Sequence, residues 1–145
     1  MFFLQHIFKA ILNFVQLSYV LLISFISDVP VCDETQDVVY GVSENESVSV
    51  SCRVNSYPPA DAFTWSFNNS LTSTLLPTST FTSSPGHSVI RYTPHTHMDF
   101  GTLLCWGTNM VGNQKTNKPC VFHIIPTGIL KAKLKAQTQK STIFF

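Results

Sequence analysis

The sequence predicts an all-β sandwich of two facing sheets, preceded by an apolar helix, and three observations carry that prediction. Cys52, Trp65 and Cys105 each lie in a short stretch where apolar residues recur at every second position, the pattern of a strand with one buried face. Trp65 follows Cys52 by 13 residues and precedes Cys105 by 40, separations that let a disulfide pin two sheets together with an indole packed against it. Stretches rich in Pro, Asn, Ser and Thr separate the strands, so each is short and ends in a turn.

The first element is the leader. From Ala10 to Ser27 the chain is almost wholly apolar, interrupted by Asn13, Gln16, Tyr19 and three serines, with Lys9 before it and Asp28 after it. A basic residue ahead of an apolar segment directs the chain beyond that segment to the extracytoplasmic side. Residues 1–29 therefore read as a signal peptide or a signal anchor. The segment is near the ~20 residues that span a bilayer, and a cut after Ser24 or Ser27 would place Leu22 or Phe25 where signal peptides carry a small residue.

Residues 30–128 form the body. Val31-Cys32 opens an edge strand that continues, after a polar kink, at Val38-Val39-Tyr40. Glu44–Ser47 is a turn. Val48, Val50, Cys52 and Val54 then share one parity while Ser47, Ser49, Ser51 and Arg53 take the other. Pro58-Pro59 breaks that strand, because proline cannot donate to a ladder. Phe63, Trp65 and Phe67 point inward on the next. Asn68 to Pro85 yields only short edge strands of undefined position. Strand character returns at Ser88–Tyr92, with Ile90 in the core, and Thr93–Met98 makes the crossing turn. Gly101–Gly107 is a strand, the segment Thr108–Asn113 a hairpin, and Cys120–Ile125 the last strand, stopped by Pro126. Residues 129–145 read as a basic flexible tail carrying Lys131, Lys133, Lys135 and Lys140.

Charge and cysteine content narrow the function. Between Pro30 and Pro126 seven carboxylates face four basic side chains, so the body is mildly acidic and lacks the footprint of a nucleic-acid binder. Four cysteines behind an apolar leader indicate an oxidising compartment and a disulfide framework. Of the three possible pairings, the sandwich spacing favours Cys52 with Cys105, leaving Cys32 with Cys120. No C-x-x-C pair suggests zinc or redox chemistry. His95 and His97 form an H-x-H in a turn with no third ligand set by spacing, and no nucleophile elbow is present. No enzyme activity, metal or cofactor is implied. Asp99 reads as the residue whose carboxylate orders the crossing turn.

The segment Ile90-Arg-Tyr92-Thr-Pro-His-Thr-His-Met-Asp99-Phe-Gly101-Thr-Leu-Leu-Cys105 resembles immunoglobulin domains, in which L-x-I is followed by D-x-G-x-Y-x-C. Asn109 and Gly112 match the A-x-N-x-x-G hairpin of their intermediate type. More narrowly, Val31-Cys32, Val39–Val42, Phe63–Asn69, Gly101–Asn109 and Pro119–Phe122 resemble one domain of the arthropod sidestep-type adhesion proteins, over roughly Pro30 to Gly128. That resemblance implies an immunoglobulin-like sandwich of intermediate or C2 type in a cell-surface adhesion or axon-guidance protein. The partner it implies is another immunoglobulin-type surface receptor, beaten-path-like, and membrane attachment runs through the leader or a further span. Leu103 stands where the family has its corner tyrosine, so the hydroxyl bond to the backbone of the crossing turn should be missing. The tail resembles a fragment end or a mispredicted exon more than a membrane anchor.

The sequence also marks candidate sites. Trp65, Leu103 and Ile90 are core positions. Asn45-Glu-Ser47 and Asn68-Asn-Ser70 are glycosylation sequons in polar turns. If Leu103 and Cys105 point inward, Leu104 and Trp106 point outward, and an outward Trp beside a Leu is the expected form of a binding hot spot. The expected function is extracellular recognition. The alternative is a structural spacer, or a truncated secreted fragment with no partner of its own.

Overall fold

A computed structural model describes residues 1–143, with the side chains of all but 23–26 and 141–143. Helix α1 (Phe2–Ile26) takes up most of the apolar amino-terminal segment. It contains no Pro or Gly, and its Leu, Ile, Phe and Ala residues favour or tolerate helix. Among the described residues no helix is long and apolar enough to cross a membrane. The membrane-targeting reading of Ala10–Ser27 rests in part on residues 23–26, whose side chains lie outside those described.

The chain passes from α1 into the sandwich without slack. Asp28 N–H donates to the Tyr57 carbonyl at 2.8 Å, and Tyr57 N–H donates to Asp28 Oδ1 at 2.6 Å. Asn109 Nδ2 donates to the carbonyls of Asp28 and Pro58, at 2.7 and 2.8 Å. Pro30 is fully buried.

Among the described residues the sandwich is built from ten strands: β1 (Val31–Cys32), β2 (Val39–Val42), β3 (Val48–Asn55), β4 (Ala62–Asn68), β5 (Ser73–Leu75), β6 (Phe81–Ser84), β7 (His87–Tyr92), β8 (Gly101–Asn109), β9 (Gly112–Asn113) and β10 (Cys120–Pro126). One sheet has the order β1-β3-β7-β6. The other has the order β2-β10-β8-β4-β5, with β9 paired to β8. All pairings are antiparallel except β2 with β10, where Tyr40 lies beside Ile124 in parallel register. The polar kink at 33–37 thus moves the first edge strand from one sheet to the other, which two apolar stretches whose starts lie seven residues apart do not specify. The Asn68 to Pro85 stretch contains β5, a 3-10 turn at Thr78–Thr80, and β6, which form the outer strands of the two sheets.

Between the sheets lie Val50, Cys52, Trp65, Ile90, Leu103, Cys105, Phe122 and Ile124, each exposed by 1% or less. Cys52 is bonded to Cys105 and Cys32 to Cys120, with Cα separations of 6.5 and 5.3 Å inside the usual disulfide span. The indole of Trp65 lies 5.7 Å from the Phe122 ring, and its Nε1–H donates to Ser88 Oγ at 3.0 Å. Ser88 Oγ in turn donates to the Thr82 carbonyl, so the buried indole nitrogen opens a satisfied chain of hydrogen bonds.

One expectation changes. Leu103 does fill the corner position without a hydroxyl, yet the bond expected to be missing exists from another strand. Tyr92, on β7, donates its hydroxyl to the Asp99 carbonyl at 2.8 Å, while its ring stacks on Phe67 at 5.5 Å. Residues 129–143 of the stretch read as a tail lie in helix α2 (Thr127–Ile143), whose Leu, Lys, Ala and Gln residues are good helix formers.

Candidate functional site

The outward side chains of the larger sheet compose the candidate surface. Along β8 burial alternates strictly, with Leu103, Cys105, Gly107 and Asn109 buried and Thr102, Leu104, Trp106 and Thr108 half-buried on the other side. Register then fixes their neighbours. Leu104 lies between Ser66 of β4 and Val121 of β10, and Ser66 is paired on its far side with Leu75 of β5. Leu75, Leu104 and Val121 therefore form an apolar row across four strands, broken only by a serine hydroxyl. Leu75 is 69% exposed, whereas Ser66, flanked by two leucines, is only 8% exposed.

Trp106 occupies the next row, beside Thr64. It is half-buried, because the loop between β9 and β10 closes over one edge of its ring. The indole Nε1–H donates to the Thr116 carbonyl at 3.2 Å. Gln114 holds that loop down: its Oε1 accepts from Gly107 N–H at 3.0 Å and its Nε2 donates to the Lys118 carbonyl at 2.7 Å. A shallow depression of about 290 Å³, lined by Thr64, Trp106, Thr108, Asn113, Gln114 and Thr116, lies beside the ring.

No strand of this sheet contains an Asp, Glu, Lys or Arg. The smaller sheet differs. Arg53 and Arg91 lie on its outer side, and Arg53 Nε sits 3.4 Å from Asp33 Oδ2. The Asp33 carboxyl is held below the usual range first by the Thr35 hydroxyl, then by the Thr35 backbone N–H.

The remaining sequence-derived candidates are dispersed. Asn45 is exposed in a turn with φ of 64°, its Oδ1 3.0 Å from His95 Nδ1. Asn68 lies at the end of β4, in the row that holds Thr102 and His123. Carbohydrate there would border the outer face at the end away from Trp106. Asp99 accepts from the backbone N–H groups of Thr96 and His95, at 2.9 and 3.0 Å, which hold its carboxyl below the usual range. His97 belongs to the same turn. Among the described residues no three His, Cys, Asp or Glu side chains are grouped to hold a metal.

Sequence parity alone found Leu104 and Trp106 but not their row. Val121 was accessible to the same reasoning, since it alternates with Cys120 and Phe122. Leu75 lies in the stretch whose strands had no defined position.

Among solved structures, titin M4 aligns with a TM-score of 0.52 at 19% identity, covering 70% of this chain and 98% of that one. The I-band fragment I67–I69 of titin aligns with a TM-score of 0.50 at 17% identity, covering 69% of this chain and 33% of that one. A Dscam structure concerned with isoform specificity reaches 0.49 at 17% identity over 69% of this chain and 25% of that one. No family model and no curated protein sequence matches the chain.

Proposed function

Because the chain folds as an immunoglobulin-like sandwich, we propose that residues 30–128 are an extracytoplasmic recognition module that binds another surface protein through the outer face of the larger sheet. The observation that carries this reading is a face of five paired strands without one charged residue, crossed by Leu75, Leu104 and Val121 beside Trp106. The centres of protein interfaces are depleted in charge and enriched in aromatic anchors. Two disulfides support an oxidising compartment. Residues 1–29 supply the secretory leader or anchor, and 129–145 are a basic tail to the domain. The partner class is another immunoglobulin-type surface protein, beaten-path-like on the strength of the sequence resemblance, in a sidestep-like adhesion or guidance role.

A second reading draws on one contact. The indole N–H of Trp106 is engaged by Thr116, so Trp106 can serve as the floor of the β9–β10 loop in a spacer domain. The two readings part on mutation. Leu104→Glu disturbs no hydrogen bond of its side chain and should abolish capture of beaten-path-type ectodomains in a surface-binding assay while the thermal midpoint stays put. Trp106→Ala should do the same. Retained capture by both variants, with Trp106→Ala melting earlier, favours the spacer.

A further inference from the structure

We propose that the lateral flank joining β5 to β6 is a site of O-linked glycosylation, with Thr78 and Ser79 as the acceptor hydroxyls; this rests on the extracytoplasmic reading above. No Asp, Glu, Lys or Arg occurs between Asp61 and Arg91, and ten of the fifteen residues from Ser70 to Ser84 are Ser or Thr. Such composition with interspersed proline is that of O-glycosylated stalks. Here it is built into the side of a folded domain.

The topology leaves this flank in need of protection. β5 is the outer strand of one sheet and β6 the outer strand of the other, and the Pro77–Thr80 turn joins them on the same side of the sandwich. Exposed edge strands present unpaired N–H and C=O groups to other chains, and proteins usually protect them with charge, proline or a bulge. Neither strand contains a charged residue or a proline. A bulky hydrated substituent on the turn between them would shield both edges at once.

Four of these ten hydroxyls are engaged. Thr72 Oγ1 and Ser73 Oγ donate to the side chains of Asn69 and Asn68, Thr80 Oγ1 donates to the Pro77 carbonyl at 2.6 Å, and Ser83 Oγ donates to Ser88 Oγ. The hydroxyls of Ser70, Thr74, Thr78, Ser79, Thr82 and Ser84 make no hydrogen bond among the described residues; of these, Thr78 and Ser79 are exposed in the turn between β5 and β6, which Pro77 enters in extended conformation. In the transfer, a glycosyltransferase brings a nucleotide-activated N-acetylhexosamine. The Thr78 or Ser79 oxygen bonds to the anomeric carbon as the bond from that carbon to the diphosphate oxygen breaks. The hydroxyl proton passes to the transferase base, and the nucleoside diphosphate leaves.

The full chain, expressed in a eukaryotic secretory host and treated with N-glycosidase, tests this. With no Lys or Arg between Arg53 and Arg91, trypsin releases the flank within one peptide, residues 54–91. That peptide should retain a mass excess of whole N-acetylhexosamine residues. Thr78→Ala/Ser79→Ala should lose the excess and self-associate at lower concentration in sedimentation, whereas Thr82→Ala/Ser84→Ala should keep both properties. A bare 54–91 peptide from secreted protein with both disulfides oxidised overturns this inference alone. Cytosolic retention with reduced cysteines overturns the extracytoplasmic reading and this inference with it. Sugar that persists in the Thr78→Ala/Ser79→Ala protein also overturns the assignment.

Discussion

Tyr92 shows how a hydroxyl bond to a turn can be supplied from a strand other than the expected one. Its hydroxyl reaches the carbonyl of Asp99, the residue whose carboxylate already gathers two backbone N–H groups of the same turn. The turn is therefore fixed from both sides, and Leu103 is free to be a purely apolar core residue. Burial first, and the Asp99 charge second, raise the Tyr92 phenol from 10.0 to about 12. A phenol with a raised folded value holds its proton more tightly in the folded chain than in the unfolded one. Its contribution is fully present below about pH 10 and is lost as the pH rises through about 12. Tyr92→Phe should retain the stack on Phe67 and lose about 0.5–1.5 kcal/mol at pH 7, the net value of one hydrogen bond. In urea denaturation the gap between the two proteins should narrow at pH 11. A gap that is already zero at pH 7 would mean the hydroxyl bond contributes nothing.

At the scale of elements, α2 and β2 share one contact that explains a glycine. Gly41 lies in β2, and a Cβ added there would collide with the Leu130 side chain of α2. A glycine inside a strand signals the close approach of another group, but nothing near Gly41 in sequence names Leu130 as that group. The same limit governs the rest of what was legible. The alternation through Val48–Val54 and around Cys105 is a local period, so the core strands, the pin and the outward parity of Leu104 and Trp106 could be read directly. The transfer of the first edge strand between sheets, the row joining Leu75 to Val121, and the hydroxyl of Tyr92 on Asp99 depend on register between distant strands. Helix α2 touches the domain through few side chains, and Ile129 and Leu134 are 49% and 55% exposed. Leu130→Asp should therefore release the helix without unfolding the sandwich. Hydrogen exchange of residues 129–140 should quicken, while the melting transition of the domain shifts by no more than about 0.5 kcal/mol. A large loss of stability would make α2 an integral part of the fold.

At the scale of the whole molecule, the two disulfides are nested and have different roles. Cys52–Cys105 joins the two sheets through the centre of the core, beside Trp65. Cys32–Cys120 joins β1, an edge of the smaller sheet, to β10 of the larger one, across a sequence separation of 88. Once the inner bridge has formed, the outer one closes an effective loop of only about 35 residues, and chain entropy then assigns it at most about 4 kcal/mol. Gln36 steadies this region independently. Its Nε2 donates to Cys32 Sγ and to the Arg53 carbonyl, and its Oε1 accepts from Arg53 N–H at 2.8 Å. Part of the positioning of β1 therefore survives loss of the sulfur link. Cys120→Ala should retain the fold and the near-ultraviolet signature of buried Trp65, with stability lower by about 2–4 kcal/mol and a midpoint lower by roughly 10–25 °C. Cys52→Ala, which opens the bridge at the core, should prevent a cooperative transition at physiological temperature. Equal melting of the Cys120→Ala and parent proteins would show that the outer bridge is not closed in solution, leaving β1 and the junction at Asp28 to be held by the Gln36 and Asn109 hydrogen bonds alone.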